Sequence, residues 1–355
     1  MIKLRILDKQ ELPEWNSVVE RFPDATLFHT IEWLNLLETT FHLEKLPLGI
    51  YEDGQMVGVF PALLTRKGPF KILGSPLTGW GTPYMGPVIE TDRLDEVMGV
   101  FDDLTNSLKV DYVEVGFRQV ELSLPSMGKY VRQQVDTHIL ELEGTVDKAW
   151  SRLKPQCRNH IRSATKNGVK IMEVEDRSWV EEFYPMLVQS FMRSRLVPSK
   201  SKEFYYNMWD FLRPAGRLKV LFAEYKGKRT AYGVFLMYRN TVYCHSAATP
   251  SEYNKLSSNN LLQWHLIKWA AASGFQIYDM VGKGIPSIDQ FKASFGSHVA
   301  WYPRYCRTSD SMAGIARRAY QKIDVASRRL RYYVHRFRGT MKGKGPDEGT
   351  DPNVS

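Results

Sequence analysis

The chain has 355 residues, of which 43% are hydrophobic and 25% charged. That length and composition fit a folded protein of roughly two domains and exclude a disordered chain, a collagen and a disulfide scaffold. Lysine and arginine number 48 against 39 aspartates and glutamates, a formal +9. Ten basic residues and one acid lie between 312 and 344, so that stretch holds the whole excess and the remaining body is formally neutral. A neutral body is not the uniformly basic surface that coats nucleic acid.

The three cysteines, Cys157, Cys244 and Cys306, are far apart and lack C-x-x-C spacing, which points to reduced thiols rather than a disulfide or metal framework. No signal-peptide pattern opens the chain and no run of about 18 apolar residues occurs, so a cytoplasmic protein without a membrane span is expected.

In chain order, a strand is predicted at 4–7 and helices at 11–21 and 30–41, the second with Thr30 as N-cap. A hairpin follows, with strands 47–51 and 56–64 around Glu52-Asp53-Gly54. Residues 68–87 hold five glycines and four prolines, with Trp80 and Tyr84 among them. Such a segment reads as neither a long helix nor a central strand. A helix at 92–108 and a strand at 112–115 complete the first half. The order then restarts: helices 146–153 and 156–167, strand 169–174, helices 177–194 and 201–213. A meander of strands follows (218–225, 230–238, 241–248), then helix 257–273, strand 276–280, helix 287–294 and strand 298–306. Strands and helices mixed in this way, with a meander, indicate an α+β fold. The loose repetition of order suggests two copies of one fold.

Three stretches of the second half carry a resemblance. They are Lys154-Pro155-Gln156-Cys157-Arg158 through Arg162 and Lys166 to Gly168; Ser257-Ser258-Asn259-Asn260-Leu261-Leu262-Gln263-Trp264 with Tyr278-Asp279; and Gln290-Phe291-Lys292-Ala293-Ser294-Phe295-Gly296. This series resembles the Fem-type (FemAB-like) branch of the GNAT acyltransferase superfamily. That branch includes peptidoglycan aminoacyltransferases and acyltransferases near polysaccharide and cell-envelope pathways. The resemblance implies two tandem GNAT-like domains with mixed, mostly antiparallel central sheets. The expected organisation is 1–143 and 144–308, the second catalytic, then a basic amphipathic helix at 309–340 and a disordered tail at 341–355. The sequence departs from a standard acetyl-CoA-binding GNAT in having no Q/R-x-x-G-x-G/A loop after the meander. Glu252-Tyr253-Asn254-Lys255-Leu256-Ser257-Ser258 stands there instead. The acyl donor is therefore open between acyl-CoA, aminoacyl-tRNA and another carrier.

Candidate residues follow from local chemistry. The helix start with Lys255, Ser257, Ser258 and Asn259 offers unpaired N–H groups to a diphosphate, although an ordinary serine-capped helix explains the same residues. Arg158, Arg162 and Lys166 are four apart and share one helix face, suited to a phosphate or to solvent. Asp279 ends a predicted strand and Lys292 is framed by Phe291 and Phe295. They are candidates for catalysis and substrate binding, or for a salt bridge to each other. Lys283 sits on a flexible Val281-Gly282-Lys283-Gly284 turn. His245 and Glu252 are candidate general bases. Trp80 and Tyr84 are candidates to line an acceptor groove. No spacing suits zinc.

Laid on a helix, 312–338 gathers Met312, Ala316, Ile323, Ala326, Leu330, Val334 and Phe337 on one side and the basic residues on the other. Such a helix suits an anionic membrane surface, tRNA, or packing on its own domain. The expected function is an N-acyltransferase moving an acyl group, most simply from acyl-CoA, onto an amine of a cell-envelope precursor or sugar nucleotide. A tRNA-dependent aminoacyltransferase and a catalytically silent membrane-surface adaptor are the alternatives.

Overall fold

A computed structural model describes residues 1–118, 122–142, 146–192, 195–309 and 326–333. The first half supplies β1 (Ile2–Ile6), α1 (Trp15–Val19), α2 (Ile31–Phe41), β2 (Glu44–Glu52), β3 (Gln55–Lys67), β4 (Phe70–Ser75), α3 (Leu94–Ser107), β5 (Tyr112–Gly116) and β6 (Val131–Glu141). The second supplies α4 (Val146–Arg152), α5 (Pro155–Lys166), β7 (Lys170–Glu173), α6 (Trp179–Met192), α7 (Lys202–Leu212), β8 (Leu218–Tyr225), β9 (Lys228–Tyr238), β10 (Thr241–Ala248), α8 (Ser258–Ala272), β11 (Ile277–Asp279), α9 (Pro286–Ala293) and β12 (His298–Thr308).

The strands join in one 12-stranded sheet of order β1-β2-β3-β4-β5-β12-β6-β11-β10-β9-β8-β7. Among the described residues only β4–β5 and β10–β11 pair in parallel; the other pairings are antiparallel. This is the mixed, mostly antiparallel architecture expected. The order has a pseudo-two-fold symmetry. Each half builds five strands outward to its own edge and lends its last strand to the other half, so β12 pairs with β5 and β6 pairs with β11. The two lent strands pair with each other, and Val135 opposite Tyr302 marks the axis. Under this symmetry Glu114, opposite Gly74, corresponds to Asp279, opposite Tyr243.

Two strands differ from expectation. Residues 70–75 form β4, a central strand, because Pro69 and Pro76 flank it rather than interrupt it. Gly74 is required there, since a Cβ would lie 2.5 Å from the Leu77 amide nitrogen. β6 had no predicted counterpart. Its first four residues are exposed, so they show no apolar period. Elsewhere the elements follow the local signals. Thr30 caps α2 by accepting from the Trp33 amide at 3.5 Å, and His42 closes that helix in the left-handed region.

The core explains why the halves stay together. On one face of the sheet a single apolar cluster runs from Trp15, Phe28 and Trp33 to Phe183, Phe204 and Tyr232. On the other face the clusters are separate, one under α3 and one under α5 and α8. Fully burying one large side chain stabilises by about 1.5–3 kcal/mol, so a core shared in this way ties the two halves firmly.

Residues 326–333 are helical. Tyr332 is buried, and Arg328 Nε donates to the Val197 carbonyl at 2.8 Å. Ala326 and Leu330, placed on the packing side by the helical wheel, are exposed here. The described helix meets the body through Arg328 and Tyr332, and Ala326 and Leu330 face outward. The rest of the expected 309–340 helix beyond Ser309, the tail 341–355 and the 143/144 junction lie outside the described residues.

Candidate active site

β10 and β11 run side by side over Thr241–Ile277, Val242–Tyr278 and Tyr243–Asp279, then part. A bulge between Cys244 and Ser246 bends β10 away at that point. Strands that diverge leave backbone donors and acceptors facing a cleft, and they must be satisfied by side chains or by a ligand.

Asp279 sits at the point of parting and is 2% exposed. Its Oδ1 accepts from Thr137 Oγ1 at 2.5 Å and from the Val281 amide at 2.8 Å. Burial raises its pKa; those two donors, Lys292 and Arg118 oppose the rise. The carboxyl therefore holds a proton more readily than an ordinary aspartate. Its symmetry counterpart Glu114 is also buried, but Arg304 Nε lies 3.3 Å from it. An arginine thus neutralises the first half's carboxylate, whereas among the described residues the second half's meets only neutral donors at close range.

Lys292 forms no close ion pair with Asp279. Its ammonium donates to the carbonyls of Val281 at 2.6 Å and Gly282 at 2.7 Å. Those residues have φ of +46° and +74°, and Val281 is strained in that region. Lys292 therefore holds a turn that would otherwise relax. Burial lowers its pKa, while Cys244, Asp289 and Asp279 act to raise it. Behind the turn His138 Nε2 lies 3.4 Å from Asp289, and Lys283 pairs with Asp136 at 3.1 Å. At the α8 side, Gln263 Nε2 approaches Cys244 Sγ at 3.9 Å and Tyr278 donates to the Gln263 side-chain oxygen.

The remaining predicted residues fall in three places. At the start of α8, Ser257 has φ +55° and its hydroxyl meets His160 Nδ1 at 2.9 Å. Ser258 is buried against Thr230 at 2.8 Å, and Asn259 accepts from Gln263 at 3.5 Å. Ser258 is therefore occupied structurally; Lys255 and Glu252 are exposed, and Glu252 accepts from Gln189 at 3.2 Å. On α5, Arg158 is turned back onto the carbonyls of Ser151 and Leu153. Arg162 and Lys166 instead line an open groove of about 410 Å³ with Trp150, Trp264 and Lys268. The face shared by the three basic residues in sequence is thus split in use.

The third place is the interface between the halves. Trp80 and Tyr84 are buried, not exposed along a groove, because the 76–89 segment folds down onto the sheet. Tyr84 packs on Phe28 and Tyr302, with ring centroids 5.6 and 5.2 Å apart. His245 stacks on Phe204 at 5.4 Å, and its Nδ1 meets Ser246 Oγ at 3.0 Å. Burial and the nearby Lys200 cation push its pKa down to about 3. A histidine so placed stays neutral and accepts protons poorly, which argues against it as a general base. The sequence reading missed Thr137, which lies on the unpredicted β6, and Arg118, which stands alone beyond β5 in no motif.

Among the described residues no group of three or more His, Cys, Asp or Glu is placed to hold a metal ion. No described helix is long and apolar enough to cross a membrane.

Comparison with known proteins agrees with this geometry. Residues 151–293 match the family model "Acetyltransferase (GNAT) domain". No curated protein matches the chain by sequence. Among solved structures, FemX superposes with a TM-score of 0.69 at 12% identity, covering 91% of this chain and 100% of that one. L-PGS from Bacillus licheniformis gives 0.54 at 12% identity, covering 86% and 94%. A tandem GNAT protein from the clavulanic acid biosynthesis pathway gives 0.53 at 10%, covering 87% and 99%. Residues 151–293 thus match a GNAT acetyltransferase domain, within a chain whose fold is shared with FemX and with the tandem GNAT protein.

Proposed function

We propose that the chain is an N-acyltransferase that moves an acyl group, most simply from acyl-CoA, onto an amine of a cell-envelope precursor, sugar nucleotide or polysaccharide intermediate. The observation that carries this reading is the β10–β11 cleft with Asp279 buried where the strands part. The acyl carbonyl lies along the free edge of β10. The amine attacks it, a C–N bond forms and the bond to the carrier breaks. Asp279, in its ionised form, takes the proton that the amine gives up, and its raised pKa makes it a stronger acceptor than an ordinary carboxylate. Lys292 acts by positioning, because it fixes the 281–282 turn that forms the cleft wall.

A second reading has aminoacyl-tRNA as donor. It is favoured by the segment before α8, where Ser251–Leu256 forms a 3-10 turn in place of a glycine-rich phosphate loop. The likeness to FemX, and to a C-terminal domain described as that of a putative lysylphosphatidylglycerol synthetase from Agrobacterium fabrum, supports a cell-envelope acceptor under either reading. Association with an anionic membrane is proposed through the 312–338 region, where Leu330 and the neighbouring arginines face outward.

Calorimetric titration of acetyl-CoA, set against a gel shift with aminoacyl-tRNA, separates the donors. Saturable heat with acetyl-CoA and no tRNA shift supports the first reading. A tRNA shift without such heat supports the second. Neither response removes both.

A further inference from the structure

A cavity of about 60 Å³ lies beside the end of β5, walled by Phe22, Met85, Val88 and Phe117. Arg118, Asp24 and Glu90 supply its charge, and the exposed Asp24 and Glu90 stand at its rim. Arg118 is largely buried, yet among the described residues its guanidinium has no hydrogen bond and no ion pair within 4.0 Å. Its electrostatic neighbours are Tyr243, Tyr84, Asp24 and Asp279, all at longer range. The other substantially buried arginines behave differently. Arg304 meets Glu114 at 3.3 Å, Arg307 meets Asp102 at 3.2 Å, and Arg217 pairs with Glu32. A largely buried guanidinium without a hydrogen-bonded partner is costly, and its five fixed donors match a carboxylate or phosphate.

The pseudo-symmetry sharpens the contrast. Arg118 stands four residues beyond Glu114, as Lys283 stands four beyond Asp279. Lys283 is paired with Asp136 and half-exposed; Arg118 is largely buried and unpaired among the described residues. The charge of Arg118 acts on Tyr84, Tyr243 and Asp279.

We propose that this cavity is an oxyanion subsite, in which Arg118 grips a carboxylate or phosphate of the amine-bearing acceptor. The proposal rests on the acyltransferase reading for the word acceptor, but the anion site stands on the cavity and the unpaired guanidinium. The volume admits one oxyanion group and not a nucleotide. It therefore selects acceptors that carry a single acidic group close to one end.

The test uses the full chain and its variants Arg118→Met and Arg118→Lys. Melting temperature is followed on adding sodium phosphate or sodium acetate, against sodium chloride at equal ionic strength. The expected result is a saturable upward shift with one of the two oxyanions, which also tells phosphate from carboxylate. Arg118→Met is expected to melt at or above the parent, since it removes an unpaired buried charge, and to lose the shift entirely. Arg118→Lys is expected to keep a weaker shift. Three results overturn the proposal: no oxyanion stabilises the parent beyond chloride, Arg118→Met responds as the parent does, or both variants melt lower with the shift intact. Acetyl-CoA titration run in parallel keeps the two readings apart. Donor binding that persists while the oxyanion response is absent overturns the subsite alone.

Discussion

At the residue scale, the molecule uses burial to set the chemistry of a few groups. Asp279 is enclosed with neutral donors, so the ionised form is disfavoured in the folded state. A carboxyl whose folded pKa is raised makes the fold less stable as pH rises through the carboxyl range. Asp279→Asn is therefore expected to melt at or above the parent at neutral pH while acyl transfer falls at least tenfold, checked by thermal melts beside a transfer assay. His245 and His29 have the opposite sign. Their folded pKa values, about 3 and about 4, lie below the ordinary 6.5, so the unfolded chain binds protons first as pH falls. Stability is expected to be flat above about pH 7 and to decline as pH falls from about 6.5. His245→Gln should flatten that decline in melting temperatures measured across the range. Asp279 and Lys292 were visible in sequence because a strand end and a Phe-Lys-x-x-x-Phe-Gly frame mark them. Arg118 was not, because its burial beside the 22–29 and 85–91 segments is set by folding and leaves no local mark.

Among elements, the turn after β11 and the exchanged strands matter most. Lys292→Met removes both hydrogen bonds that hold the 281–282 carbonyls. A hydrogen bond to a charged group contributes about 1.5–3 kcal/mol, but loss of the ammonium also relieves its burial. The expected outcome is a fall in turnover of at least tenfold with only a small change in melting temperature, read from initial rates and thermal melts on the same sample. The strand exchange escaped the sequence for a physical reason. β6 opens with Val131-Arg132-Gln133-Gln134, all exposed, and its order is set by partners from the other half. β4 was hidden by its flanking prolines and glycine. The helices, the meander and the closing strand were legible because apolar period, caps and turn residues agree locally. The sharing of one sheet was not, since register between distant strands leaves no local trace.

Considered whole, the chain is one sheet with a core continuous across both halves. Neither half can keep β5 or β11 paired on both sides without a strand from the other. Calorimetry of the full chain is expected to show one cooperative transition, and 1–142 expressed alone is expected to aggregate or stay unfolded. Two separate transitions would contradict the shared core. The formal +9 belongs to the end of the chain, so removing 312–344 is expected to lower affinity for anionic vesicles sharply and leave donor binding nearly intact. Co-sedimentation with vesicles measures the first effect and calorimetric titration the second. The central claim, acyl transfer at the β10–β11 cleft with Asp279 as proton acceptor, is tested most directly by following acyl transfer from the bound donor to amines of a cell-envelope precursor extract by mass spectrometry. The parent should yield amide product, and Asp279→Asn and Lys292→Met should reduce it at least tenfold while still binding donor. Product formed equally well by Asp279→Asn, or no product from either acyl-CoA or aminoacyl-tRNA, would contradict the account.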